Sequence, residues 1–287
     1  MTKSTLLHLR IPFSFYLLPV FLFACSLSGK LPLVNLILVG IVLHLFLYPA
    51  SNGYNSYFDK DEESIGGLKK PPTVSKELYW YSLLFDFLAI AIGVFINWQF
   101  TVMLLIYGLV SKAYSHPTIR LKKMPFAGWF VAGFFQGYFT FIMVCVGLGN
   151  ISFQEITSLN IQLPALLSSM LLWGSYPMTQ IYQHNEDRKR GDITISLRLG
   201  VLGTFHFTAV AFFIATMGFF YFYSQYYSVF HASLYMLFLS PVLLYFGYWY
   251  LRSRKNVNNV NYSNTMNLNF ISALMMNLYF IGFYFFK

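Results

Sequence analysis

Asn55-Ser-Tyr-Phe-Asp59-Lys-Asp61-Glu-Glu63 sets Asn55, Asp59 and Glu63 at intervals of four residues. On a continuing helix that interval lines the three side chains along one face. Asp61 and Glu62 would then point elsewhere. Carboxylate oxygens with retained water are what magnesium takes, and substrate phosphates usually complete its shell. Lys69-Lys70-Pro71-Pro72 follows, supplying two cations beside the acids and then ending any helix. A second acidic cluster, Glu186-Asp187-Arg-Lys-Arg-Gly191-Asp192, has the same mixture of signs. Between them runs Tyr114-Ser-His116-Pro-Thr-Ile-Arg120-Leu-Lys122-Lys123, suited to hold phosphate oxygens, with Arg120 able to do so bidentately. A divalent metal holding a diphosphate is the chemistry these residues could do. The plainer readings are a solvated acidic loop for the first cluster and a charged turn for the second.

Acids are scarce in the chain, ten in 287 residues, and eight of them fall in these two regions when Glu77 is counted with the first. The elements that position them are membrane helices. The sequence is 57% hydrophobic, 21% aromatic and 10% charged, against roughly 25% charged for a soluble domain. Nine stretches are long and apolar enough to span a bilayer: 11–29, 32–57, 78–97, 99–116, 125–148, 164–184, 201–223, 232–251 and 265–286. Backbone groups in lipid must be satisfied within the segment, and no barrel-strand alternation is present, so these are helices. The expected fold is an all-α, polytopic membrane bundle in a single domain over 1–287, with the first helix retained rather than cleaved.

Charge supports that count. With a cytoplasmic N-terminus, seventeen of the nineteen Lys and Arg residues fall on the cytoplasmic side, leaving Lys30 and Lys287 for the other face. The net charge of +9 then follows from topology and attraction to anionic lipid, with no nucleic acid implied. The expected location is the plasma membrane of a bacterium. Both acidic clusters lie on the cytoplasmic side, after the second and sixth helices. That offset points to two four-helix pseudo-repeats plus a ninth helix, although overall similarity between the halves is weak. His44, Asp86 and Gln136 are polar residues inside apolar stretches and are functional candidates on that ground, with internal pairing equally open for Asp86. Cys25 and Cys145 form no disulfide or metal pattern.

Asn-x-x-x-Asp-x-x-x-acid after the second helix, Tyr114-Ser-x-Pro-x-Ile-Arg-Leu-Lys122 after the fourth, and Asp187-Arg-Lys-x-Gly after the sixth resemble the UbiA-type prenyltransferases. Thr194-Ile-Ser-Leu-Arg-Leu-Gly200 is similar to the family's run into helix seven. The Tyr114 segment most resembles the chlorophyll-synthase-like branch. The resemblance implies magnesium-dependent transfer of a polyprenyl group from a polyprenyl diphosphate to a lipophilic acceptor, usually an aromatic ring or a hydroxyl. It implies Asp59 and Asp187 as catalytic carboxylates, with Asn55, Asp59, Glu63 and Asp187 as metal ligands. Lys70, Tyr114, Arg120, Lys122 and Arg188 would hold the leaving diphosphate. Asp61, His116, Gln183 and Asp192 stand nearby without an assigned role. The chain departs from the pattern at Ser56, where the family often has Asp, at Glu63, where Asp is usual, and at Gln183, which replaces the first Asp of the second motif. Two other classes remain to be weighed. A transporter would place its charges at the midplane, and this chain concentrates them at one face. A non-catalytic isoprenoid- or quinone-binding member of the same family is the alternative reading.

Overall fold

The computed structural model of the chain describes every residue except Lys30, Asn150 and Ser152, so Lys30, expected at the far face, lies outside the described residues. Among the described residues nine long helices follow one another: α1 Lys3–Leu27, α2 Leu33–Asp59, α3 Glu77–Val94, α4 Trp98–Ser115, α5 Pro125–Leu148, α6 Leu159–Gln180, α7 Ile195–Tyr226, α8 Val229–Lys255 and α9 Tyr262–Phe286. Among the described residues there is no strand, only an isolated bridge between Ile65 and Leu68. The all-helical expectation therefore holds. Seven of the nine are both long and apolar enough to cross a membrane. The other two, α4 and α6, have 18 and 22 residues but carry interior polar residues, including Ser111, Lys112, Ser168 and Thr179.

Helices neighbouring in sequence pack on one another, α6 is wedged between α5 and α7, and α9 returns to α1 to close the bundle. Phe23 of α1 stands at the centre, 1% exposed, against Phe141, Phe219, Phe222 and Phe280. Outside, Phe87, Leu109, Val210, Phe230 and Leu244 are each more than half exposed. An apolar perimeter of that kind is stable in lipid and not in water. α1 and α7 have short leading turns ahead of their hydrophobic stretches, and each is interrupted where the stretch begins: Arg10 is left-handed (φ 48) just before 11, and Gly200 is non-helical (φ 68, ψ 177) just before 201. The starts indicated by hydropathy thus coincide with breaks in the backbone.

Two helices widen where they serve the interior. In α2, Val42–Leu47 adopts π spacing just before Pro49, which cannot donate to the turn behind it. In α5, Phe135–Phe139 does the same, and Ser169 of α6 fills the opened turn. Its Oγ accepts from Tyr138 N at 2.8 Å and donates to Gly133 O at 2.9 Å. Gly137 makes that approach possible, because a Cβ there would lie 2.5 Å from the Ser169 backbone.

Candidate active site

The chain ends of α2, α4 and α6 surround a cavity of about 210 Å³. α2 contributes Ser51, Asn52, Asn55 and Asp59, all facing it. The helix stops there: Lys60 is left-handed (φ 50) and its N–H closes on Ser56 O. The loop beyond folds back, so that Asp61, Ile65 and Gly66 line the cavity as well. A turn at Ile65–Leu68 shapes this loop, with Gly67 at φ 84 packed against the Phe13 ring. α6 contributes Tyr176, Thr179 and Gln180, and beyond it come Gln183, Asp187, Arg190 and Thr194. Asp187 and Arg190 ride on a short helix, His184–Arg190. That helix is tied to α7 by His184 Nε2 against Ser196 Oγ at 2.8 Å.

The two acidic regions are related residue by residue over 48–59 and 176–187. Tyr48-Pro49, Ser51, Asn52, Tyr54, Asn55 and Asp59 match Tyr176-Pro177, Thr179, Gln180, Tyr182, Gln183 and Asp187 at identical spacing. The hydroxyl, two amides and carboxylate of each half all line the same cavity. Gln183 is the counterpart of Asn55, and each half therefore presents an amide and a carboxylate four residues apart.

Cations hold these acids. Lys122 Nζ contacts Asp59 Oδ1 directly, and Arg120 Nη2 lies 3.3 Å from the same oxygen. Arg120 also grips Asp192 with Nε and Nη2 at 2.7 and 2.9 Å. Arg190 bridges Asp61, Asp187 (2.9 Å) and Asp192 (3.1 Å). Thr194 is shared between two tasks: its Oγ1 donates to Asp187 Oδ2 at 3.1 Å and accepts from Leu197 N as the cap of α7. The Asp187 carboxyl is pushed up to about 7, chiefly by burial and with help from the charges of Asp192 and Asp59, against the pull of Thr194 and Lys122. Asp192 is lowered: burial would raise it, but the Arg120 hydrogen bond and the charges of Lys122, Arg120 and Arg190 prevail.

A second chamber of about 230 Å³ adjoins the first. Phe13, Asn52, Gln136, Tyr176 and Thr179 line both. Its far walls are apolar, including Val20, Phe23, Leu171, Phe219, Leu239 and Phe280. Gln136 reaches the junction from the widened turn of α5. Tyr176 meets Tyr114 hydroxyl to hydroxyl beside it. A polar, charged compartment thus opens into one shaped for hydrocarbon.

A model of the UbiA prenyltransferase family matches residues 16–272. The chain belongs to that family. It is accordingly an integral membrane protein and a prenyltransferase. A UbiA homolog from Archaeoglobus fulgidus bound to DMAPP and Mg2+ has the same fold at a TM-score of 0.70, with 18% identity over 99% of this chain and 100% of that one. The same homolog bound to GPP and Mg2+ gives 0.69, with 17% identity over 98% and 99%. Digeranylgeranylglyceryl phosphate synthase gives 0.58, with 18% identity over 99% and 97%. No curated protein matches the chain in sequence.

Of the residues singled out from this UbiA sequence, Asn55, Asp59, Asp61, Tyr114, Lys122, Gln183 and Asp187 line the cavity, and Arg120 and Asp192 brace it from behind through Asp59 and Arg190. Others lie elsewhere. Glu63 is not on the face of Asn55 and Asp59, because the helix ends at Asp59; it is exposed and 3.5 Å from Lys189. The same ending brings Asp61 inward, against the sequence expectation. Lys70 and Arg188 are exposed and outside the lining. His116 rests on the Phe58 ring, and His44 is bonded to Ser14 O. Asp86 pairs with Lys112 across α3 and α4. Sequence reasoning missed Arg10, Tyr176, Gln180 and Arg190. Aligning residues 48–59 with 176–187 would have found Tyr176 and Gln180.

The donors suit a hard cation. Asn55, Asp59, Asp61, Gln183 and Asp187 all offer oxygen, and neither Cys nor His is among the described lining residues. Among the described residues no three His, Cys, Asp or Glu side chains converge as a cage. Magnesium is bound in just this way, by one or two carboxylates with water and substrate phosphate.

Proposed function

We propose that this chain transfers a polyprenyl group from a polyprenyl diphosphate to a lipophilic acceptor bearing an aromatic ring or a hydroxyl, with magnesium, at the cytoplasmic face of the membrane. The observation that carries the reading is the junction: two amide–carboxylate pairs face one polar cavity, which opens into an apolar chamber. Magnesium, when bound, would neutralise the diphosphate and stabilise the charge that develops as it leaves. Asn55 with Asp59 and Gln183 with Asp187 would hold it. Lys122, Arg120 and Arg190, on giving up their aspartates to the metal, would turn to the diphosphate oxygens, with Tyr114 donating beside them. The prenyl chain would lie in the second chamber, its reactive carbon near Tyr176 and Gln136.

Glu63, Lys70 and Arg188 belong to the loop rims in this reading, where Lys70 and Arg188 would attract the anionic donor rather than ligate it and Glu63 would pair with Lys189. Nine crossings in a single domain over 1–287, a cytoplasmic N-terminus and a bacterial plasma membrane complete the proposal, supported by the one-sided distribution of Lys and Arg. The Tyr114 segment favours the chlorophyll-synthase-like branch. The matched 48–59 and 176–187 segments favour two four-helix pseudo-repeats.

The test is diphosphate release from a panel of polyprenyl diphosphates by purified protein, with a membrane extract as acceptor source. Release with a preferred chain length, abolished by chelation, is expected. Retained isoprenoid binding without release from any donor, including with extracts of several sources, would replace transfer by the binding-protein reading.

A further inference from the structure

The cations lining the cavity are not equivalent. Lys122 and Arg190 each reach aspartates. Arg10 is different: among the described residues it is the one cavity-lining cation with no carboxylate at ion-pair distance. It is only 9% exposed, and its Nε is buried without a partner. Nη1 donates to Gly66 O at 3.1 Å and Nη2 to Asn52 O at 3.2 Å. A guanidinium has five N–H donors, so most of its capacity is unspent. A buried charge without a counter-charge is costly. The backbone adds to that cost, because Arg10 is left-handed (φ 48, ψ 43) where helix Lys3–Leu9 gives way to the 3-10 turn Ile11–Leu17.

A purely structural role would be to strap the Ile65–Leu68 turn over the cavity through Gly66. That accounts for two hydrogen bonds to carbonyls, which a neutral amide could also make. It accounts for neither the charge nor the unpartnered Nε. Position supplies the missing part. Arg10 stacks over Phe13, 5.5 Å from its centroid, and bonds to Asn52; both of those residues line the polar and the apolar chambers alike. Arg10, which itself lines the polar chamber, therefore stands beside the junction where the reacting ends of donor and acceptor would meet.

We propose that Arg10 is an anion-recognition residue of this cavity, taking a phosphate or carboxylate oxygen of a substrate. The inference rests on the prenyl-transfer reading and deepens it. The anion is either the donor's diphosphate or an acidic group on the acceptor. In both cases the remaining N–H donors form charge-assisted bonds, and Arg10 gains a directly bonded counter-charge where Asp59 acts on it only from a distance.

Two probes separate the sources. Equilibrium binding of inorganic pyrophosphate in the presence of Mg2+, and of benzoate, is measured by calorimetry on purified wild type, Arg10→Gln and Arg10→Lys. Wild type is expected to bind at least one probe, Arg10→Gln to weaken that probe by about tenfold or more, and Arg10→Lys to recover part of the loss by restoring charge. Loss confined to pyrophosphate assigns Arg10 to the donor; loss confined to benzoate assigns it to an acidic acceptor. Unchanged binding in Arg10→Gln overturns the proposal. So do equal losses in the Gln and Lys variants with a lowered unfolding midpoint, which would make Arg10 a strap. If wild type binds neither probe, the diphosphate reading itself fails, a result distinct from failure of Arg10 alone.

Discussion

Asn55 and Asp59 lie on the last turns of an unbroken α2, whereas Gln183 and Asp187, at matching places, are separated from α6 by a turn at 181–183. Their supports differ as well. Ser115 of α4 donates to Asn55 Oδ1 at 2.9 Å, and Ser111 meets Ser51 at 2.5 Å, so the first half is braced against a second rod. Asp59 draws its cations from the distant segment Arg120–Lys122. Asp187 finds Arg190 on its own short helix and Thr194 just beyond. Similar ligands are thus offered by two mountings: one on the end of a long helix braced by α4, the other on a short helix held to α7 through His184 and to the 61–64 loop through Arg190 and Gln183. A rigid amide–carboxylate pair suits tight, geometrically demanding coordination; a pair on a small separate helix can adjust as substrate arrives.

That contrast can be broken. Asp59→Asn removes the carboxylate of the braced half and is expected to lower turnover about a thousandfold or more, with the protein still monodisperse and helical by circular dichroism. Asp187→Asn should cost less, about a hundredfold, seen in the same diphosphate-release assay; equal losses in the two variants would abolish the distinction between mountings. Gln183→Asp sharpens it by strengthening the weaker pair. The magnesium concentration giving half-maximal rate should fall by about threefold to tenfold, and an unchanged requirement would mean Gln183 does not face the metal. Glu63→Gln is the smallest change: because that residue sits outside the cavity, the rate should stay within about twofold of wild type, as expected for a screened surface pair.

Much of the fold was legible. Among the described residues each of the nine hydrophobic stretches falls mainly on a helix, and seven of those helices are long and apolar enough to cross a membrane; in lipid a long apolar stretch has little alternative. Breaks and ends were harder to read, since hydropathy does not register a left-handed Arg10 or Lys60 or the kink at Gly200. The site suffered from that same blindness. Spacing every four residues carried Asn55 and Asp59 to one face, but the left-handed Lys60 interrupts the register before Glu63 and turns Asp61 inward. Nothing in the local sequence distinguishes Arg190 from Arg188; the choice is made by the phase of the His184–Arg190 helix. Gln183 reads as a defect when compared with a family motif and as a repeat when compared with Asn55. Asp86 shows the limit of residue type alone, since it pairs with Lys112 on the next helix, away from the cavity.

The pairing of Asp59, Asp61, Asp187 and Asp192 with Lys122, Arg120 and Arg190 has a consequence for biogenesis. Four carboxylates gathered bare around one cavity would need an ion for the fold to close on them. Here the acids are met by the protein's own cations, so the bundle can close before any metal arrives. Chelation should therefore silence the protein without unfolding it, unlike a zinc finger, whose assembly waits on its ion.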